Sequence, residues 1–362
     1  MAAPKTTIWE LAPHTRAKHE ILRRYLQAWT PILSHGGFPE FIYIDGFAGP
    51  GRYSQGEDGS PVIALKAAIG QTLPASTRIF FLFVERDPER AKVLKEVIDG
   101  IERPDTFRVK VADGETFEAE ANRLLDFYRS KKKPLPPTFC FVDPFGWKGA
   151  PFSLLSDILK NPSCEVLVNF MYEEINRFLG HPDQPDNFDT FFGTSQWRDC
   201  LQGAVSQRNR CLHDLYASQL HTAGATFVRS FEMRNDSGVT DYFLFYATKN
   251  VRGLQKMKEA MWKVDASGEF AFSDATDPNQ MVMFSEPVFD ILRRQIMERF
   301  RGHKVTVADV EHFVLTQTAF RETHYKKQVL APLEAASHLA VLDPRPGRRS
   351  GTYGDPKMTI QF

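Results

Sequence analysis

The chain has 362 residues, 42% hydrophobic and 25% charged, and its 45 lysines and arginines are balanced by 45 aspartates and glutamates. Such a composition belongs to a folded chain of one large and one smaller domain. It excludes a histone-like or tail-dominated polyanion binder, so any nucleic-acid site has to be a local patch.

The N-terminus lacks the charged-then-apolar layout of a signal peptide, and no stretch approaches the roughly 18 uninterrupted apolar residues of a membrane span. Cys140, Cys164, Cys200 and Cys211 are scattered without a CxxC pair, which suits a reducing cytoplasm. From Pro13 to about Ser34, Ile21, Leu22, Tyr25, Leu26, Trp29 and Leu33 recur at helical spacing, predicting an amphipathic helix. Apolar runs rich in β-formers then alternate with helical patterns: residues 41–45, 78–85, 106–113, 138–143 and 164–170. Five strands buried on both faces and joined by helices predict a doubly wound, parallel α/β sheet.

A polar helical insertion covers about 173–221, and strands at 226–235 and 240–249 flank a turn too short for anything but an antiparallel hairpin. A mostly parallel sheet closed by such a hairpin is expected of a class I methyltransferase-like sheet more than of a nicotinamide-type Rossmann sheet. The first domain is therefore expected over 1–264, followed by a polar linker at 265–284. Residues 285–362 read as three helices and a hairpin, a winged-helix-like module. It carries 12 lysines and arginines against 9 aspartates and glutamates. Lys326 and Lys327 on its third helix, with Arg345, Arg348 and Arg349 on its wing, are the expected nucleic-acid contacts, although such modules also dock proteins.

The chemistry concentrates at strand ends. The first strand runs into Asp45-Gly46-Phe47-Ala48-Gly49-Pro50-Gly51, a glycine-rich loop where doubly wound sheets bind ligands. It is not the GxGxxG dinucleotide fingerprint, because the helix is delayed until Ser60-Pro61. A sharp turn with no phosphate to cradle suits S-adenosylmethionine, with Asp45, Gly46, Phe47, Ala48, Gly49 and Gly51 around its methionine end. Glu85, ending the second strand, is the expected ribose clamp, and Asp113, ending the third, meets an adenine amine or caps a helix. The fourth strand ends in Asp143-Pro144-Phe145-Gly146, where amino-methyltransferases keep Asp/Asn-Pro-Pro-aromatic. Asp143, Pro144 and Phe145 are thus candidate catalytic residues: acceptors for a target NH2 and an aromatic to stack on its ring. Trp147 offers a second stacking surface. Gly146 departs from that pattern by replacing the aromatic. A flipped or single-stranded base is the natural substrate of such a pocket.

Asn169, Tyr172, Glu173 and Arg177 follow the fifth strand and are expected either to meet substrate or simply to begin a helix with paired charges. Lys18 and His19 line the same mouth or a solvated face. The histidines show no metal-ligand spacing, and no nucleophile elbow or P-loop is present; no metal is expected.

DPFGWKGAPF at 143–152 is similar to a stretch of tRNA guanine-N2 dimethyltransferases, and IDGFAGPGRY at 44–53 to the loop of adenine-N6 rRNA methyltransferases. Nearly the whole chain, through residues 18–29, 43–51, 141–147, 169–178 and 324–335, resembles the three-Cys-motif partner protein (TcmP) family. That resemblance implies an S-adenosylmethionine-type Rossmann fold and a separate three-cysteine partner that looks like a radical S-adenosylmethionine enzyme. This chain has no CxxxCxxC, so an iron–sulfur cluster would belong to that partner. Two functions are expected from the sequence: an N-methyltransferase acting on an exocyclic base amine of DNA or RNA, or a non-catalytic nucleic-acid or nucleotide binder that delivers substrate to the three-cysteine protein. A nucleotide-dependent oxidoreductase is disfavoured by the terminal hairpin and the interrupted glycine loop.

Overall fold

The computed structural model describes residues 6–265, 270–273 and 289–362. Its contacts divide the chain into two units, Met1–Gly253 with Ala271–Asn279, and Leu254–Phe270 with Gln280–Phe362.

The first unit is built on β1 (Glu40–Asp45), β2 (Arg78–Glu85), β3 (Phe107–Asp113), β4 (Thr138–Val142), β5 (Cys164–Phe170), β6 (Phe227–Arg234), β7 (Thr240–Thr248) and β8 (Ala271–Ser273). They lie in the order β3-β2-β1-β4-β5-β7-β6-β8. The first five are mutually parallel and β7 enters antiparallel between β5 and β6. That strand order is the class I methyltransferase-like sheet, and it places the carboxyl ends of β1, β2, β4 and β5 along one rim. The inner strands are buried along nearly their whole length, whereas β3, at the edge, alternates exposed and covered residues, which is why its sequence is the most polar of the five.

Alternation across the sheet sorts the two faces. Ile42, Ile44, Leu82, Val84, Cys140 and Val142 join the core beneath α4 (Phe117–Ser130) and α5 (Phe152–Leu159). The intervening aromatics meet α1 (Pro13–His35): Trp29 stands edge-on to Phe41 at 5.2 Å and Tyr25 lies 5.1 Å from Phe139. Burying side chains such as Ile21, Leu22, Leu26 and Trp29 stabilises this docking by about 1.5–3 kcal/mol each. The same helix ties itself to the sheet through a polar cluster. The Tyr25 hydroxyl donates to Glu165, lies 2.7 Å from the Tyr246 hydroxyl, and Thr248 donates to the other oxygen of Glu165 at 3.0 Å. The remaining connections are α2 (Ser60–Ile69) and α3 (Pro88–Asp99), then α6 (Tyr172–Phe178), α7 (Pro185–Phe192) and α8 (Val205–Thr222) within the insertion. Cys200 and Cys211 are joined across the insertion with Cα atoms 5.6 Å apart, a pairing their scattered positions in sequence did not announce and one that sits uneasily with the expectation of reduced thiols. Cys140 and Cys164 are buried and free.

The second unit begins earlier than expected. α9 (Val251–Val264) starts directly after β7, but from Leu254 onward it belongs with the C-terminal residues. The buried Lys258 ammonium donates to the carbonyls of Val314, Leu315 and Thr318, and the Trp262 indole to that of Ala319. These bonds, made by residues far apart in sequence, move the boundary from 264 to 253. Most of the expected linker, residues 266–269 and 274–284, and the first residues of the expected winged-helix-like module, 285–288, lie outside the described residues. Beyond them come α10 (Phe289–Phe300), β9 (Lys304–Thr306), α11 (Val307–Gln317), a wide helical turn at Lys326–Leu330 running into α12 (Ala331–Ala335), β10 (Ala340–Val341) and β11 (Thr359–Gln361). Thr306 and Asp309 form a reciprocal capping box at the start of α11. The short strands make an antiparallel sheet in the order β10-β11-β9; β9 was too short to be legible in the sequence. Among the described residues, no helix is long and apolar enough to cross a membrane.

Candidate functional site

Two cavities flank the glycine-rich loop at the carboxyl rim of the first unit, one of about 530 Å³ and one of about 190 Å³, and Phe47 and Phe145 line both. The loop is held by its backbone: Gly46 N–H donates to Phe141, Ala48 N–H to Val84, and Gly59 N–H to Gly51. Gly49 takes φ +63°, a conformation L side chains rarely adopt. A Cβ on Gly46 would stand 2.7 Å from the Phe117 ring, so glycine is required there by close packing. Behind the loop, Asp45 is fully buried; its Oδ1 accepts from Phe47 N–H at 3.3 Å, and the Ser60 side chain also stabilises its charge. Burial pushes its carboxyl up to about 7, with the negative charge of Asp143 adding to the rise.

The larger cavity is lined by Gly46, Glu85, Asp87, Arg90, Thr116 and Phe117, among others. The Glu85 oxygens accept from Gly49 N–H and Asp87 N–H, each at 2.8 Å, and each keeps further acceptor capacity toward the cavity. Burial raises the Glu85 carboxyl, and the two amides oppose that shift. Asp113 pairs in register with Glu85 but is exposed, sits 2.8 Å from the Lys95 ammonium and does not line the cavity. Glu115 and Thr116, just beyond it, take the lining position.

The smaller cavity brings together residues far apart in sequence: Lys18 and His19 from α1, Asp143, Pro144 and Phe145 after β4, and Asn169 from β5. Lys18, 4% exposed, donates to Asp143 at 2.5 Å, and the Asn169 amide donates to the other Asp143 oxygen at 2.6 Å. His19 is buried and its Nδ1 has no partner; burial first, then the adjacent Lys18 charge, holds its imidazole down to about 3, hence neutral. Phe145 is 44% exposed, and Trp9 stands 6.0 Å from it and 5.9 Å from Tyr53. Arg90 lies over the Trp9 ring at 4.9 Å.

Other expected site residues are elsewhere. Trp147 turns inward against Phe178 and Phe188, at 5.3 and 5.0 Å, because the φ +100° of Gly146 turns the chain there. Tyr172 is buried beside Phe243. Glu173 and Glu174 pair with Arg177 at 3.0 and 3.3 Å along α6, as expected of a helix start with paired charges, and none of the three lines either cavity. In the second unit Arg348 makes a bidentate pair with Glu334, both bonds 2.7 Å, Arg345 pairs with Asp355 at 2.6 Å, and Lys326 lies 3.5 Å from Glu311. Lys327 and Arg349 are exposed. Trp9, Tyr53, Arg90 and Tyr242 were missed as lining residues. Only Tyr53, inside the loop motif, and Arg90, one turn into the helix after Glu85, had positions that hinted at it. No group of residues able to hold a metal ion occurs among the described residues.

The strand order defines a class I methyltransferase-like fold, with two cavities at the carboxyl rim of its sheet. No family model and no curated protein matches the chain. Among solved structures it is similar to a DUF519 protein of Legionella pneumophila (14% identity, 66% of this chain and 86% of that one, TM-score 0.41). It is also similar to an O-methyltransferase of Bacillus cereus in complex with SAH (14%, 63% and 80%, 0.35) and to a DUF574 protein of Streptomyces avermitilis (10%, 65% and 84%, 0.32).

Proposed function

We propose that the chain is an S-adenosylmethionine-dependent N-methyltransferase acting on the exocyclic amine of a nucleic-acid base. The observation that carries this reading is the pair of cavities that share Phe47 and Phe145 across a glycine-rich loop. One holds an acidic strand-end residue suited to ribose hydroxyls; the other holds aromatics and amide and carboxylate groups suited to a flat, amine-bearing ring. The nucleoside end of the cofactor would lie along Glu85, Thr116 and Phe117, and its methionine end along the backbone of Phe47 to Gly51. When bound, S-adenosylmethionine supplies an electrophilic methyl group. The chain's own residues do the rest: Phe145 stacks on the target ring, the polar groups around Asp143 orient its amine, and Trp9 and Tyr53 narrow the mouth against water.

The order of elements in the second unit, helix, strand, two helical segments and two further strands, supports reading it as a winged-helix-like module. With Arg345, Arg348 and Lys326 beside carboxylates, Lys327 and Arg349 are the two of the five expected contacts most available to a phosphate backbone. The alternative is a binder that presents nucleic acid or nucleotide to a three-cysteine partner without methylating it. It is favoured by the occupation of both Asp143 oxygens and by Gly146 in place of an aromatic.

Isothermal titration with S-adenosylmethionine and S-adenosylhomocysteine tests the first reading. Micromolar binding, lost in Gly49→Arg and Glu85→Ala, is expected, followed by tritiated-methyl transfer to single-stranded DNA or RNA. Binding of neither ligand removes the methyltransferase reading. Cofactor binding without transfer, together with co-purification of the three-cysteine protein, selects the alternative.

A further inference from the structure

Asp143 looks like the amine acceptor from sequence, yet its geometry assigns it another task. A carboxylate can only accept hydrogen bonds, so the 2.6 Å bond from Asn169 Nδ2 to Asp143 Oδ1 fixes which way the Asn169 amide lies. Its NH2 faces Asp143, with the Met171 sulfur 3.3 Å away on the same side. Its Oδ1 is turned from both. That oxygen belongs to a residue 2% exposed that lines the smaller cavity, and it has no partner. Lys18, at 2.5 Å on the other Asp143 oxygen, locks the carboxylate from the opposite side. His19, 6% exposed and lining the same cavity, adds a second unpartnered atom, Nδ1, which is an acceptor when the neutral imidazole carries its proton on Nε2.

Buried acceptors left unpaired cost about 1–3 kcal/mol each, and folded chains keep few of them. Two on one cavity leave room for a donor from outside the chain, water in the free protein and a ligand group in the complex. The Lys18 ammonium at the cavity wall is matched by Asp143, which leaves that wall near neutral and suits a neutral donor. A neutral NH2 group on a ring, with two hydrogens to give, matches both the number of acceptors and the charge.

We infer that Asn169 Oδ1, not Asp143, accepts a hydrogen from the target amine, that His19 Nδ1 receives the other, and that Asp143 and Lys18 are positioning residues that hold the Asn169 amide. This rests on the methyltransferase reading and deepens it by naming a neutral exocyclic amine as the group selected. With both hydrogens held, the amine nitrogen can become pyramidal, which withdraws its lone pair from conjugation with the ring and localises it for attack. It forms the new N–C bond as the carbon–sulfur bond breaks, the bonding pair stays on sulfur, and the surplus proton leaves the methylated nitrogen to water.

The test uses the full chain saturated with S-adenosylhomocysteine. Calorimetry compares adenosine with purine riboside, cytidine with pyrimidin-2-one riboside, and guanosine with inosine. The parent is expected to prefer at least one amine-bearing nucleoside by about tenfold, the equivalent of one hydrogen bond. Asn169→Ala erases that preference while S-adenosylhomocysteine affinity, set mainly by Glu85 and the glycine-rich loop, stays within about threefold and so reports an intact fold. Asn169→Ser, which keeps an acceptor oxygen, retains part of it, and Asp143→Asn reduces it less than Asn169→Ala does. A preference that survives Asn169→Ala but disappears in Asp143→Asn overturns the inference, as does a parent with no preference. If S-adenosylhomocysteine itself does not bind, the methyltransferase reading falls, and the nucleoside titrations, run without it, still decide whether Asn169 reads an amine.

Discussion

Helix α1 serves two polar clusters that differ in one respect. Around Glu165, near the start of β5, every oxygen has a partner: Tyr25, Tyr246 and Thr248 surround the carboxylate. Around Asn169, near the end of the same strand, Lys18 and Asp143 are paired, but Asn169 Oδ1 and His19 Nδ1 are not. The spacing is consistent on both elements, since seven residues of helix from Lys18 to Tyr25 span about 10.5 Å and four residues of strand from Asn169 to Glu165 span about 13 Å. α1 therefore runs against β5, and one helix supplies a finished structural bond at one end and an unfinished one at the other. A closed cluster holds the fold, whereas an open one on a cavity marks where a ligand belongs.

The comparison can be broken most severely at the closed end. Glu165→Ala leaves the Tyr25 and Tyr246 hydroxyls buried beside each other without their acceptor, and about 3 kcal/mol of stability should be lost. Glu165→Gln should lose much less, because burial already raises this carboxyl toward its neutral form. Urea titration measures both, and equal losses would show that charge rather than hydrogen bonding matters there. The same contrast recurs in the second unit. Arg348→Ala strips Glu334 of the guanidinium that holds its carboxyl down to about 2 and should cost about 2 kcal/mol, read as a lower melting temperature.

A pH series sharpens the comparison further. Asp45 has a folded-state pKa raised from 3.8 to about 7, so between those values the folded chain holds a proton that the unfolded chain has released. Stability should accordingly fall as pH rises through this window, by on the order of 1 kcal/mol per unit. Asp45→Asn should flatten the slope; an unchanged slope would assign it to another group. The smallest expected effect belongs to Arg349→Glu, an exposed change that should leave stability within about 0.5 kcal/mol. It should weaken nucleic-acid binding a few-fold in a salt-dependent way. A shift in melting temperature with unchanged binding would make Arg349 structural, like Arg348.

Much of the fold could be read along the chain because buried parallel strands advertise themselves as unbroken apolar runs, and the short turn between β6 and β7 allowed only an antiparallel pair. Strand-end residues were legible for the same reason: the carboxyl end of a β-strand is a position in the sequence. Glu85 and the loop from Asp45 to Gly51 could be placed in that way, and so could Asp143. Trp147 and Tyr172 misled, since an aromatic just past a strand can turn toward a cavity or away from it, and the backbone at Gly146 and the packing of Phe178, Phe188 and Phe243 decide which. Arg348 misled too, because the glutamate that engages it lies 14 residues away on α12.

The amino-acid sequence by itself determined the alternation of elements, the mostly parallel sheet and the rim on which chemistry would gather, because periodicity and turn residues are local properties. Only the tertiary structure decided which polar groups find partners. Lys18 meets Asp143 across 125 residues of chain and Asn169 meets it across 26. Whether a buried oxygen is satisfied or left without a partner depends on those long-range encounters, which no window of sequence contains.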